Sequence, residues 1–134
     1  MKVIATSMPG GDSAMAAVAD EPDPVRWKLL NGYLADSEGN EDLRLAALDR
    51  AEAGTPELNW GNHYVWTSMY PDGRVVIEEM ESLNTEETAD QPPQPQIVIT
   101  IAEARKLILD WIAARDKWYA EREAQESAGI SGEK

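Results

Sequence analysis

Apolar positions follow a helical period between residues 25 and 53, a strand period from Leu58 to Met80, and a helical period again after Thr100. The middle stretch, LNWGNHYVWTSMYPDGRVVIEEM, alternates on both sides of Pro71-Asp72-Gly73, which predicts an antiparallel hairpin over 58–80. Proline presets φ at that turn, Asp72 bonds locally and Gly73 supplies positive φ. On the first run Leu58, Trp60, Tyr64, Trp66 and Tyr70 share one parity, so a continuous strand places them on one face. Leu58, Trp60, Tyr64 and Trp66 are then expected to form the sheet surface on which Trp111 and the last helix pack.

Upstream, Asp23-Pro24 supplies an N-cap and a first-turn proline for a helix over residues 25–36, with Trp27, Leu30, Leu34 and Tyr33 on its apolar side. A rival reading makes Asn31-Gly32 a tight hairpin turn. The specific cap and the poor alternation favour the helix, although Gly32 inside it costs about 1 kcal/mol relative to alanine. Asn40 is expected to cap a second helix, EDLRLAALDRAEA, with Glu41 and Asp42 at the positive end of its dipole. Leu45, Leu48 and Ala51 or Glu52 define its buried face, and Gly54 followed by Thr55-Pro56 ends it.

Downstream, a third strand is predicted at about 97–100. Thr100-Ile101-Ala102-Glu103 then has the capping-box pattern. It opens a long amphipathic helix with Ile101, Ala104, Ile108, Trp111 and Trp118 or Tyr119 along one side. Lys2 to Ser7 reads as a short strand, 9–24 as a flexible arm or loop, 82–96 as an acidic Pro/Gln loop and 127–134 as a disordered tail. The expectation is one domain, 1–134, of the α+β class. A small antiparallel sheet (hairpin 58–80 plus strand 97–100) is packed by the long C-terminal helix and one or two N-terminal helices.

Charge changes this picture most. Twelve Lys and Arg against twenty-five Asp and Glu leave a net charge of -13, which repels nucleic acid and anionic membranes and favours basic partners. Between Arg74 and Arg105 no basic residue occurs. Phenylalanine is absent, and five Trp and four Tyr carry the aromatic packing with polar tips suited to half-buried faces. There is no cysteine, so a disulfide, a thiolate nucleophile and a Cys-ligated metal are all excluded, in keeping with a reducing cytoplasm. No run approaches the roughly 20 apolar residues of a membrane span.

Candidate chemistry is sparse. His63 is the single histidine, on the parity opposite the tryptophans, and a general-base role for it competes with the plainer reading of a surface or edge histidine. No second histidine or ligand spacing supports a metal, and no nucleophile elbow, phosphate loop or dinucleotide fingerprint occurs. The expectation is therefore a protein without catalytic residues, metal or cofactor. What remains is acidic surface beside aromatics, the ingredients of an inhibitor that plugs a basic cleft. Tyr70, Asp72, Glu78, Glu79, Glu81, Glu86 and Glu87 are the expected partner-binding residues.

The hairpin WGNHYVWTSMYPDGRVVIEE and the strand-helix ITIAEARKLILDWIAARDKW resemble, in layout, the small acidic immunity proteins that bacteria encode beside polymorphic or contact-dependent toxins. The Pro/Gln insertion between the second and third strands departs from that layout. The resemblance implies a cytoplasmic, non-catalytic protein that binds one cognate toxin, a basic protein such as a nuclease, and occludes its active site. The same physics suits a phage-encoded acidic mimic that blocks a host nucleic-acid-binding defence complex. A small enzyme or ligand-binding domain using His63, and an assembly module, are the remaining alternatives.

Overall fold

A computed structural model describes residues 2–7, 13–61, 64–80 and 95–132, with side chains to residue 125. The chain begins with a ribbon of β1 (Val3–Ser7) and β2 (Ala14–Val18), continues through helices α1 (Pro24–Ser37) and α2 (Glu41–Glu52), and enters a four-stranded sheet. That sheet comprises β3 (Glu57–Gly61), β4 (Val65–Met69), β5 (Arg74–Glu79) and β6 (Gln96–Thr100) in the order β3-β4-β5-β6, every pair antiparallel. Helix α3 (Ile101–Gly132) follows directly. The architecture is α+β, as the hydrophobic pattern predicts.

Local devices explain most element boundaries. The Asp23 carboxylate accepts from the amides of Val25 and Arg26 at 3.0 and 3.4 Å, with Pro24 in the first turn, so 25–36 is helical. The capping box forms reciprocally: Glu103 N–H donates to Thr100 Oγ1 at 3.0 Å, and Thr100 N–H to Glu103 Oε1 at 3.1 Å. Gly73 takes φ 95° in the turn, where Asp72 accepts from Arg74 N–H at 3.1 Å. Gly54, at φ 120°, ends α2 as expected. Asn40 does not cap with its side chain; the Glu41 carboxylate instead accepts from Gly39 N–H at 3.2 Å.

Four further expectations are corrected. Ala14–Val18, expected within a loop or arm, is strand β2, paired with β1 from Val3↔Val18 to Ser7↔Ala14. Its small residues carry weak local preference, and distant side chains complete its outer edge. Tyr119 Oη accepts from Ala14 N–H (3.2 Å), Glu38 from Ala16 N–H (2.8 Å) and Asn31 from Val18 N–H (3.0 Å). An edge so occupied cannot pair with another strand. Helix α3 also continues to Gly132, past the predicted start of a disordered tail at 127.

The third correction concerns the hairpin. Its first run is two strands, because the chain reverses between Gly61 and Tyr64 and β3 folds back on β4. Asn59 (φ 55°) makes a bulge there, and its amide is satisfied by Ser68 Oγ at 3.1 Å. The supposed common face is therefore divided. Leu58, Tyr64 and Trp66 are exposed and Trp60 is half-buried, while Val65, Thr67 and Met69 face the core. Those three lie opposite Glu79, Ile77 and Val75 on β5. Trp66 lies across from Gly61, whose missing Cβ leaves room for the indole ring.

The fourth is Trp27, expected on the core face of α1 but exposed. Leu29, Leu30, Tyr33 and Leu34 turn inward instead, against Val65, Ile77 and Ile108 among others. Gly32 is required at the closest approach of α1 to β4: a Cβ there would stand 2.8 Å from Val65 Cγ1. Trp111 is buried beneath α2, its indole Nε1 donating to Glu41 Oε2 at 3.0 Å. The expected packing of α3 on the sheet does occur, through Ile101, Ala104, Leu107 and Ile108.

Candidate functional site

The acidic hairpin residues do not converge. Asp72 lies at the turn and Glu78 and Glu79 at the far end of β5, separated by six or seven residues of strand, or about 20 Å. Asp72 is already engaged by Arg74 (2.7 Å), whose hydrogen bonds hold its carboxyl below the ordinary aspartate range. Arg74 also stands 4.8 Å over the half-buried ring of Tyr70, so the turn is a closed local unit. Glu79 pairs with Lys28 of α1 at 2.6 Å. Glu78 is half-buried opposite Trp66 and Gln96 and has no ion pair among the described residues. Glu81, Glu86 and Glu87, the Pro/Gln loop up to residue 94 and His63 lie outside the described residues.

What the fold does bring together is a groove of about 650 Å³ over the outer side of α1. One wall is β2, the other the start of β4 and the end of β5. Three exposed large side chains border it: Met15 (37 % exposed), Trp27 (46 %) and Tyr64 (58 %). Helical spacing sets Trp27, Asn31, Ala35 and Glu38 along one stripe, about 16 Å of helix at 1.5 Å per residue. The floor is small and apolar, with Ala17, Gly32 and Ala35. A concave apolar surface of this size with a few polar groups is the usual form of a binding site.

The Trp27 ring is fixed in place, and Tyr64 is anchored through its backbone. Trp27 Nε1 donates to Val18 carbonyl at 3.0 Å, and Asn31 Nδ2 to Trp27 carbonyl at 2.6 Å. Tyr64 is held by its backbone: its N–H donates to the Asp36 carboxylate at 3.1 Å, and its carbonyl accepts from Met80 N–H at 3.3 Å. A ring already held, as Trp27 is, loses little entropy on binding.

Polar groups line the groove unequally. Lys28 and Glu79 bridge its α1 and β5 sides and satisfy each other. Glu38 is half-buried, one oxygen bound by Ala16 N–H, with no cation in ion-pair reach among the described residues. Burial raises its carboxyl above the ordinary glutamate value, and Glu41 acts in the same direction, against the Ala16 hydrogen bond. Glu41 itself is paired with Arg115 at 3.2 Å.

The raised value gives a prediction. The folded state keeps the Glu38 proton over a pH window in which the unfolded chain has lost it. The stability it contributes is present in acid and lost as pH rises through the folded value. Glu38→Gln keeps an acceptor for Ala16 and carries no charge. It is expected to raise the melting temperature at neutral pH, with the difference vanishing below the ordinary glutamate range; an unchanged or lower neutral-pH value would refute it.

None of the groove residues except Glu79 is among those expected from sequence to bind a partner. Trp27 was predicted for the core because helical spacing cannot say which side of α1 meets the sheet, and β2 offered no pattern at all. The Gly61-Asn62 pair between two alternating runs is itself a hairpin signal, and it marks where Tyr64 leaves the predicted face. Among the described residues, no three His, Cys, Asp or Glu side chains are grouped to hold a metal ion, and no helix is long and apolar enough to cross a membrane. No family model, curated protein or solved structure matches this chain, so the site stands on its geometry alone.

Proposed function

We propose that this chain is a non-catalytic acidic binding protein of the immunity or inhibitor class. In this reading it acts in the cytoplasm on a basic protein partner, such as a nucleic-acid-acting toxin, and covers the partner's cationic cleft. The observation that carries the reading is the groove bordered by Met15, Trp27 and Tyr64, with carboxylates at Glu38 and Glu79, on a chain of net charge -13. Exposed aromatics supply the anchors typical of binding hot spots, and the charge supplies steering.

The arrangement of the cations supports it further. Arg26, Lys28, Arg50, Arg74, Arg105, Lys106, Arg115 and Lys117 are each paired within the chain, to Glu21, Glu79, Glu57, Asp72, Asp49 with Glu52, Asp110, Glu41 with Asp116, and Glu121. These are eight of the twelve basic residues, so most of the positive charge is met within the chain and the excess that a partner meets is carboxylate.

The test is co-purification from the source cell followed by association kinetics. A basic protein is expected, with an association rate that falls steeply as ionic strength rises from about 0.01 M to 0.15 M and the Debye length shrinks from roughly 30 to 8 Å. Recovery of only acidic or neutral partners, or a rate indifferent to salt, would defeat the proposal.

A further inference from the structure

We infer that the groove over α1 seats one short partner segment carrying an arginine or lysine flanked by apolar side chains, with the cation paired by Glu38. The inference rests on the binding-protein reading above and specifies which surface does the binding and what chemistry it reads.

Three observations lead to it. First, the floor and borders are apolar enough to take side chains out of water, through Ala17, Gly32, Ala35, Met15, Trp27 and Tyr64. A purely electrostatic contact needs no such surface. Second, the two rings are amphipathic and exposed, with the Trp27 indole fixed by its bond to Val18, and both are suited to the aliphatic stem and the charge of a basic side chain. Third, the two groove carboxylates differ in a way that selects one of them. Glu79 is satisfied by Lys28, whereas Glu38 is half-buried, has the Ala16 amide but no cation as partner among the described residues, and has another carboxylate, Glu41, nearby. A half-desolvated carboxylate without a cation is an unfavourable arrangement that an incoming ammonium or guanidinium relieves. The charged groups around it set the sign: Glu41 repels, and Arg115 is occupied by Glu41.

An acidic or neutral occupant gains nothing from Glu38 and is opposed by the field of the whole chain. A second copy of this chain is disfavoured for the same reason. The groove's length of about 16 Å corresponds to about five residues of extended chain, so a short segment suffices.

The experiment is amide and indole NMR mapping on the full chain, titrated with a blocked peptide of about eight residues alternating arginine and leucine. The controls are one peptide with leucine replaced by serine and one with arginine replaced by glutamine. The arginine-leucine peptide is expected to shift the amides of Gly32, Ala35 and Val65 and the Trp27 indole proton. It should bind at least about tenfold more tightly than either control. Trp27→Ala should weaken it about tenfold or more. Because Trp27→Ala also removes the bond to Val18 carbonyl, Glu38→Gln is the second variant: it keeps an acceptor for Ala16, and should lose the preference for arginine over glutamine while its other resonances stay in place.

Equal binding by the arginine-serine peptide, or shifts spread over the Asp72 turn and the outer surface, would overturn the groove inference and leave the charge-steered binding reading standing. Equal binding by the glutamine-leucine peptide would overturn the role of Glu38. Conversely, clean groove binding of the peptide with no basic protein recovered from the source cell would remove the inhibitor reading and leave the groove.

Discussion

Replacing Asp36 by alanine is expected to lower the unfolding free energy by about 3–5 kcal/mol, seen as a fall in the urea midpoint at unchanged slope. Asp36 closes α1 and is 1 % exposed. Its carboxylate accepts from Tyr64 N–H at 3.1 and 3.2 Å and from Val65 N–H at 3.0 Å, so it ties the helix to the first residues of β4. It also faces Arg44, which is 2 % exposed and lies 5.5 Å from the Tyr33 ring and 5.7 Å from that of Trp60. Burial pulls the Arg44 guanidinium below its ordinary value, and Tyr33 and Asp36 act against that pull. Alanine at 36 would leave two backbone donors without their acceptor and a buried cation without its counter-charge. Asp36→Asn keeps one acceptor and should fall between the two proteins. A loss below about 1 kcal/mol for Asp36→Ala would mean that β4 is anchored by other means.

Trp111→Ala is the second large effect, also expected at about 3–5 kcal/mol. The indole is 2 % exposed and fills the space between α2 and α3. Its Nε1 shares Glu41 Oε2 with Gly39 N–H and Arg115 Nη1, at 3.0, 3.2 and 3.2 Å. Truncation therefore opens a cavity and weakens the junction that begins α2. Trp111→Phe separates these contributions: it keeps most of the volume and loses only the donor to a charged acceptor, for about 1.5–3 kcal/mol. Urea unfolding of both variants is the measurement. If phenylalanine costs as much as alanine, the hydrogen bond to Glu41 is the larger part; if alanine costs under about 1 kcal/mol, α2 and α3 do not depend on this ring.

Neither variant touches the groove directly, yet both bear on it. Asp36 fixes the backbone of Tyr64, and Glu41 is the carboxylate near Glu38. The site is presented by the same buried polar contacts that hold α1, α2, α3 and β4 together. Its aromatic border and its stability are thus linked through particular bonds.

The elements legible without the fold were those whose causes lie within a few residues. Asp23 caps residues two and three positions on, Thr100 and Glu103 satisfy each other across three, and the Asp72-Gly73 turn closes on Arg74. Short-range chemistry of this kind is written in the chain and needs no tertiary partner. The α+β class, α1, α2, the start of α3, β6 and the acidic character were determined at that level. The tertiary structure decided the rest, because its causes are remote. β2 is completed by Asn31, Glu38 and Tyr119, which lie 13, 22 and 105 residues from the positions they bond. Which side of β4 is buried depends on β3 folding back over it, and which side of α1 is buried depends on where β2 and β4 stand. A period in the sequence says that an element has two faces. Only packing chooses which of them meets water, and that choice put Trp27 and Tyr64 at the border of a groove.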